Sequence, residues 1–270
     1  MQDQELKWWH VRWRLAGRAI SRFAIVSGKI IGSLCLIAAI GYSALYLMSP
    51  WLSAKRMSKV DPRLSLVPAN LPTNAESPLS NASIDCYGIR LSLPSESVVD
   101  VFQGDWITSV RFRNGGILMV EDTSHNPGWL GIAIGERNTQ RLFGKEVLSS
   151  KFKLMQAAMW ATPDQAKWWR LRALENQRIE YLLVAKFFLL AVPSRYGFTL
   201  GPIYKIDGGE FRGFQIGNPS VAPYEAHLDL FDRDDRHLKF DIEGPEGHGQ
   251  VLTQADINGM VASIRPASSR

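Results

Sequence analysis

Catalytic motifs are missing from this sequence of 270 residues. It contains no G-x-S-x-G, C-x-x-C or H-E-x-x-H pattern and no glycine-rich phosphate loop. Each of those patterns holds a nucleophile, a metal ion or a phosphate at a fixed spacing, so the enzyme classes that depend on them are excluded. The sequence therefore leaves catalytic residues unknown, and it predicts no cofactor and no metal.

Cysteine is nearly absent, since the chain has only Cys35 and Cys86. Cys35 lies inside an apolar run, whereas Cys86 opens the region expected to fold in water, so the two thiols are not expected to meet in one monomer. A disulfide framework is thereby excluded. We expect Cys86 to be buried, free and poorly reactive, because free cysteine is among the most buried residue types and nothing near it in sequence would activate it.

Asp, Glu, Lys and Arg are absent from Ile30–Met48, which reads IIGSLCLIAAIGYSALYLM. A helix of about 20 apolar residues crosses a bilayer, so this run predicts a single transmembrane helix at residues 30–48. A cleaved signal peptide is the main alternative, but the basic region before the run is too long and no A-x-A pattern follows it. The predicted organisation is a basic cytoplasmic arm at 1–29, the helix, a linker at 49–83 rich in Pro, Ser and Asn, and a soluble domain at 84–270.

Positive charge is concentrated before the domain. Ten Lys and Arg but only four Asp and Glu precede Ser83; this part carries +6 and, because the whole chain carries +5, the domain carries −1. The basic residues therefore favour anionic lipid headgroups as a partner and do not favour nucleic acid. Six of them precede the apolar run and four follow it, so the positive-inside rule predicts a cytoplasmic N-terminus and an extracytoplasmic domain, periplasmic in a bacterium.

The arm has the periodicity of an amphipathic helix, with tryptophans on the apolar face and arginines opposite. This composition is typical of a segment lying in the headgroup layer, although a disordered basic arm has the same partner. The predicted membrane-interface residues are Trp8, Trp9, Arg12, Trp13, Arg14, Arg18, Arg22, Lys29 and Trp51.

Turn residues divide the domain into predicted strands. Alternation at 87–93 predicts one strand, and paired runs predict hairpins around Asn114-Gly115-Gly116, Gly208-Gly209 and Arg233-Asp234-Asp235. Residues 124–136 are rich in glycine and polar residues and predict a loop.

Helical periodicity occupies three further stretches. Helices are predicted at Ser149–Ala161 and at Gln254–Ile264 after the cap Thr253. A long helical stretch, either one helix or two, is predicted from the N-cap Thr162 to Ala191. The second half of this stretch is apolar nearly all round but interrupted by charge, so a buried core helix is favoured over a second span. The element order predicts an α+β domain, an antiparallel sheet with packed helices.

Histidines and carboxylates near the C-terminus offer the best candidate for chemistry. His227, His237 and His248, together with Asp229 and Asp241, would suit a metal or acid–base site. Their alternation along two strands more simply predicts the polar face of a half-exposed hairpin. Asp232, Asp234 and Glu243 occupy EF-hand positions, but Arg236 and His237 break that loop, so a solvated turn is predicted instead.

The C-terminal third has the sequence GFQIGNP at 213–219, AHLDLFDRDDRHLKFDIEG at 226–244 and LTQADINGMVASI at 252–264. This order of strand, acidic turn, strand and short terminal helix resembles the ending of the PsbP-like superfamily of α/β/α sandwiches. The resemblance implies a binding or assembly module without shared catalytic residues. The long helical stretch at 163–191 departs from the shorter insert of that superfamily.

Two functions follow from the sequence. The first is a membrane-anchored, non-enzymatic extracytoplasmic module that binds a membrane or extracytoplasmic protein, through a sheet face or the groove beside the apolar helix. The second is a membrane-tethered hydrolase with a dispersed His/Asp site that uses His125 or His227.

Overall fold

A computed structural model describes residues 35–71, 82–94, 98–124, 137–170, 174–190, 193–194, 197–198, 201–221, 224–244 and 252–267. The chain divides into two compact units, Met1–Ser49 and Pro50–Arg270. The basic arm, with all of its predicted interface residues, lies outside the described residues, as do His125, His248 and the predicted loop after Ser124.

The apolar run belongs to helix α1, Cys35–Val60. In the described part of the chain it is the one helix long and apolar enough to cross a membrane, a property that a signal sequence near the N-terminus shares. The side chains of residues 35–47 are exposed. The helix does not end at Met48, as the apolar run predicts, but continues to Val60.

Residues 50–71 are folded, although their composition predicts an extended tether. Ala54 in α1 is buried, a 3₁₀ turn follows at Pro62–Ser65, and strand β1 occupies Ala69–Asn70. Pro62 stands at the start of the turn, where its missing N–H is not needed, and Asp61 caps the turn. The prolines therefore shape local turns instead of keeping the segment extended.

Within the described ranges the main sheet has eight strands. After β1 they are β4 (Val98–Gln103), β5 (Ile107–Phe112), β6 (Ile117–Asp122), β9 (Ile203–Gly208), β10 (Phe211–Gly217), β11 (Ala226–Phe231) and β12 (His237–Glu243). Their order in the sheet is β1-β9-β10-β11-β12-β6-β5-β4. Among these strands only β1 and β9 pair in parallel, and the other neighbours are antiparallel. The sheet is therefore mixed, whereas the sequence predicts an antiparallel one.

Short strands complete the β structure. A three-stranded sheet has the order β13-β3-β2, and β7 pairs with β8. Their bounds are β2 (Ser83–Cys86), β3 (Ile89–Ser92), β7 (Pro193–Ser194), β8 (Gly197–Phe198) and β13 (Arg265–Pro266). The three predicted hairpins are confirmed as β5–β6, β9–β10 and β11–β12.

Four further α-helices are described: α2 (Arg137–Leu148), α3 (Lys151–Trp160), α4 (Leu174–Leu190) and α5 (Gln254–Ser263). Helices α3 and α5 confirm the predictions, and Thr253 caps α5 by accepting a hydrogen bond from the backbone N–H of Asp256. The long helical stretch predicted from Thr162 to Ala191 is not one helix. Thr162 begins only a 3₁₀ turn at Pro163–Gln165, because the backbone becomes extended at Ala166 and α4 does not begin until Leu174.

The main sheet lies between two apolar cores. On one face, residues such as Leu228 and Phe240 pack against Ile89 of the small sheet and Ile257 of α5. On the other face, Phe214, Ile216 and Phe231 pack with α1, α3 and α4. Strands β10 and β11 are therefore covered on both sides, which makes the domain α+β with helices and a small sheet packed on a larger one.

Candidate functional site

The histidines of β11 and β12 lie inside the protein. His227 is 4% exposed, Asp229 7% and His237 3%. The prediction of a half-exposed polar face is therefore wrong for these three residues, although Lys239 and Asp241 on the same face are partly exposed. The reason is a neighbour that the sequence does not reveal: Phe231, on this same face of the hairpin, packs edge to face against Phe152 of α3, with ring centroids 5.6 Å apart.

Two His–Asp pairs join these strands. His227 Nδ1 lies 2.6 Å from Asp241 Oδ1, directly across the strand pair, and His237 Nε2 lies 2.7 Å from Asp229 Oδ1. Burial acts to raise the pKa of Asp229, but the hydrogen bond and charge of His237 outweigh it and lower that pKa. The lowered pKa favours the ionised form of Asp229, whose carboxylate forms its hydrogen bond with His237 inside the sheet.

Geometry gives these pairs a structural role. The His237 ring lies flat on Phe231, with centroids 4.4 Å apart and planes 6° apart. Its Nδ1 atom is buried and makes no hydrogen bond within the described ranges. The same ranges contain no group of three or more His, Cys, Asp and Glu residues that would hold a metal ion. General acid–base catalysis needs an imidazole within hydrogen-bonding reach of a substrate. Both rings are buried in this structure, so a substrate in solvent does not reach them.

Cys86, at the end of β2, is free and buried, as predicted. Burial raises its pKa to about 11. Because the thiolate is the nucleophile of cysteine chemistry, the side chain is inert near neutral pH.

The acidic turn between β11 and β12 binds backbone N–H groups. Asp232 Oδ1 accepts from the N–H of Asp234 and of Arg236, both at 2.9 Å, which confirms the predicted turn. Asp235 crosses to the start of α3, where it accepts from Ser150 Oγ at 2.7 Å and from the N–H of Lys151 and of Phe152. This cap leaves no local signal in the sequence, because more than 80 residues separate its partners.

An apolar groove of about 250 Å³ lies beside α4, where the end of α1 approaches it. This α4 groove is lined by Ser53, Arg56, Met57, Val60, Leu64 and Phe187. Val60 is exposed, as are Val184 and Phe188 of α4. Of the predicted interface residues, Trp51 is described; it is half-buried and packs against the helical core.

Charged side chains hold the walls of the groove together. Asp61 Oδ2 binds Arg63 Nη2 at 2.7 Å, and Arg63 Nη1 donates to the carbonyl of Leu190 at 3.0 Å. Lys186 Nζ donates to the carbonyls of Leu64 at 3.3 Å and Leu66. We call Asp61, Arg63 and Lys186 the α4 clamp.

The surroundings of the clamp also shift the pKa values of Asp61 and Lys186. The hydrogen bond from Arg63 lowers the pKa of Asp61, while burial lowers the pKa of Lys186 to about 8. Lys186 is 0% exposed and makes a third hydrogen bond, to the carbonyl of Ala161 at 2.9 Å. All three donors of the ammonium group are therefore used in joining α4 to its neighbours.

Comparisons with protein-family models, with curated proteins and with solved structures found no match to this chain. The function must be argued from α1, the α4 groove and the buried His–Asp pairs.

Proposed function

We propose that this chain is a single-pass membrane protein whose folded domain binds a protein partner at the membrane and does not catalyse a reaction. The N-terminus is cytoplasmic and the domain is extracytoplasmic, with lipid as the partner of α1. The observation that carries the proposal is the exposure of apolar side chains along residues 36–47 of α1, since water does not favour such a surface. The resemblance to PsbP-like binding modules agrees with it.

The α4 groove is the proposed binding site. Its lining is mostly apolar, its rim carries the exposed Arg56, and Val184 and Phe188 extend the apolar surface along α4. Apolar and aromatic anchors that enter a small pocket supply much of the affinity of protein interfaces. The groove is large enough for one such side chain from the partner.

Orientation is tested with reporters fused after Arg270. A reporter active only outside the cytoplasm should function, and one active only inside should not. Because a signal sequence passes the same apolarity test as α1, the N-terminus of the mature chain must also be sequenced. A cytoplasmic reporter signal, or a mature chain that begins after α1, would contradict the proposal.

Binding is tested with a photocrosslinking residue at Val60, in the groove, and a matched one at Val221, which is exposed elsewhere. In membranes, we expect a discrete protein adduct from position 60 and none from position 221. Introducing Phe187→Asp should abolish the adduct. Equal labelling from both positions would show that the groove is not a specific site.

Catalysis is tested on the purified full-length chain with a broad panel of hydrolase and transferase substrates. We expect no turnover. Activity that His227→Ala abolishes while thermal unfolding stays unchanged would establish the hydrolase alternative in place of the binding module.

A further inference from the structure

Two tryptophans face solvent in the turn before α4. Trp168 is 57% exposed and Trp169 is 60% exposed, within the 3₁₀ turn Trp168–Arg170. Both rank among the largest apolar side chains, and a soluble surface rarely displays two of them side by side. Lys167 and Arg170 flank the pair, so a positive charge stands on each side of the two indoles.

Hydrogen bonds connect the start of the turn to α4. Asn176, buried in the first turns of α4, accepts a hydrogen bond from the N–H of Lys167 at 3.0 Å and donates one to its carbonyl at 2.7 Å. The two indoles meet edge to face with centroids 5.9 Å apart, and the Lys167 ammonium lies 5.9 Å from the Trp169 ring. The backbone of Lys167 is thus bound to α4, while the side chains of Trp168, Trp169 and Arg170 are exposed. This attachment lowers the cost of ordering the turn when it binds a partner.

The same pattern occurs a second time in the sequence. Residues 7–12 are KWWHVR and residues 167–172 are KWWRLR, which share Lys-Trp-Trp-x-x-Arg. The first copy belongs to the arm, which composition alone assigns to the headgroup layer. The second copy stands in the folded domain, more than a hundred residues later.

We propose that Lys167, Trp168, Trp169 and Arg170 form a second membrane contact, which binds the anionic headgroup layer of the bilayer. Indoles favour the boundary between acyl chains and headgroups, and each Lys or Arg near an anionic surface adds to the attraction. A fluid headgroup layer accepts two neighbouring indoles without a matching pocket, whereas a protein partner needs one. The inference rests on the proposed anchoring, which keeps a bilayer within reach of the turn; the two copies then meet opposite leaflets.

The test uses the full-length chain in lipid nanodiscs that contain brominated phosphatidylcholine, with or without phosphatidylglycerol. Bromine quenches only tryptophans that touch the lipid. Trp168→Ser and Trp169→Ser should each remove quenchable fluorescence, whereas the matched Trp106→Ser, which removes an exposed indole between β4 and β5, should not. Equal thermal unfolding of the three variants excludes misfolding as the cause.

Charge is tested separately with Lys167→Gln and Arg170→Gln. Each should lower the ratio of bound to unbound turn about fivefold in anionic nanodiscs, and the pair should reduce quenching to the level seen without phosphatidylglycerol. Equal loss for the Trp106 and Trp168 variants, or quenching that ignores phosphatidylglycerol, would overturn the inference. If Trp168 and Trp169 are shielded from a water-soluble quencher in native membranes but not in nanodiscs, the turn contacts a protein instead of lipid. That result would overturn the inference as well.

Retention of the chain in nanodiscs after an alkaline wash separates this inference from the proposed function. A chain that is washed out refutes the anchor. A chain that stays while Trp168 and Trp169 remain unquenched refutes only the second contact.

Discussion

Lys186 is an unusual residue because its ammonium is buried and bound only by backbone carbonyls. No carboxylate among the described residues pairs with it, and its three acceptors belong to Leu64, Leu66 and Ala161. Carbonyl dipoles replace water only in part, so burial still disfavours the charged form and lowers the pKa to about 8. The residue that joins α4 to the chain after α1 therefore makes stability depend on pH.

Stability should rise with pH through the titration of Lys186. Below pH 8 the folded and unfolded chains both hold the proton, whereas from about pH 8 to the ordinary value of 10.5 only the unfolded chain holds it. The contribution of Lys186 to the unfolding free energy should therefore increase across this window, by about 3 kcal/mol. Cys86, whose pKa is raised to about 11, acts in the opposite direction above pH 9, so Lys186 is measured by difference. In urea unfolding at several pH values, stability should rise more with pH, or fall less, in the wild type and in the exposed control Lys59→Met than in Lys186→Met. A rise of equal size in all three would contradict the assignment.

Cys86 should resist modification in the native state. Its pKa of about 11, compared with an ordinary 9.0, leaves about a hundredfold less thiolate at neutral pH, and burial blocks access. In a Cys35→Ser background, a bulky maleimide should react only after denaturation. Fast labelling of the native protein, or a dimer on a non-reducing gel, would count against this.

At the scale of elements, α3 depends on a carboxylate from the sheet. Asp235 has a φ of 64°, a left-handed conformation that Asp and Asn tolerate better than most residues. It accepts hydrogen bonds at the N-terminus of α3, where a helix has free N–H groups and a partial positive charge.

Replacing this carboxylate should weaken α3. Asp235→Asn retains the backbone preference and the size of the side chain but loses the charge, and should lower the unfolding free energy by about 1–2 kcal/mol. Its exposed neighbour offers a matched control, since Asp234→Asn should change stability by less than about 0.5 kcal/mol. Equal effects of the two substitutions in thermal or urea unfolding would show that the cap contributes nothing.

Elements whose determinants are local could be predicted from the sequence. Asn114-Gly115-Gly116 and Gly208-Gly209 supply the backbone freedom that tight hairpins need, and Thr253 caps α5 from an adjacent position. The features that could not be predicted depend on contacts between residues far apart in the sequence. His227 is buried because helices cover β11. The first turn of α4 is connected to the preceding turn by the hydrogen bonds between the Asn176 side chain and the Lys167 backbone. Neither contact leaves a periodic pattern in the sequence. For the same reason, the sequence places a groove beside an apolar helix but does not predict which residues line it.

At the scale of the whole molecule, the chain combines a helix that exposes apolar residues with a domain that buries them on both faces of a sheet. The two surfaces need different surroundings. Residues 36–47 need an apolar solvent, while the domain contains cores of its own.

Retention after carbonate extraction should therefore depend on α1, the proposed span, and not on exposed apolar residues of the sheet such as those of β4. Ile37→Arg combined with Ile40→Arg should shift the chain from the membrane pellet to the soluble fraction after carbonate extraction, because each arginine costs about 2.5–3.5 kcal/mol at the centre of a spanning helix. Val99→Arg combined with Val101→Arg changes two exposed residues of β4 and should leave the chain in the pellet. Release of both variants would show that the helix is not the anchor.

The α4 clamp also determines where a mechanical load enters the domain. Tension transmitted along the chain through Val60 first meets Asp61, and then the hydrogen bonds that tie residues 63–66 to Leu190 and Lys186. The sheet is reached only afterwards, at the pairing of β1 with β9. A pull from the N-terminal side therefore meets first the packing of Trp51 and Ala54 on the helical core, then these three cationic hydrogen bonds, and only last a strand.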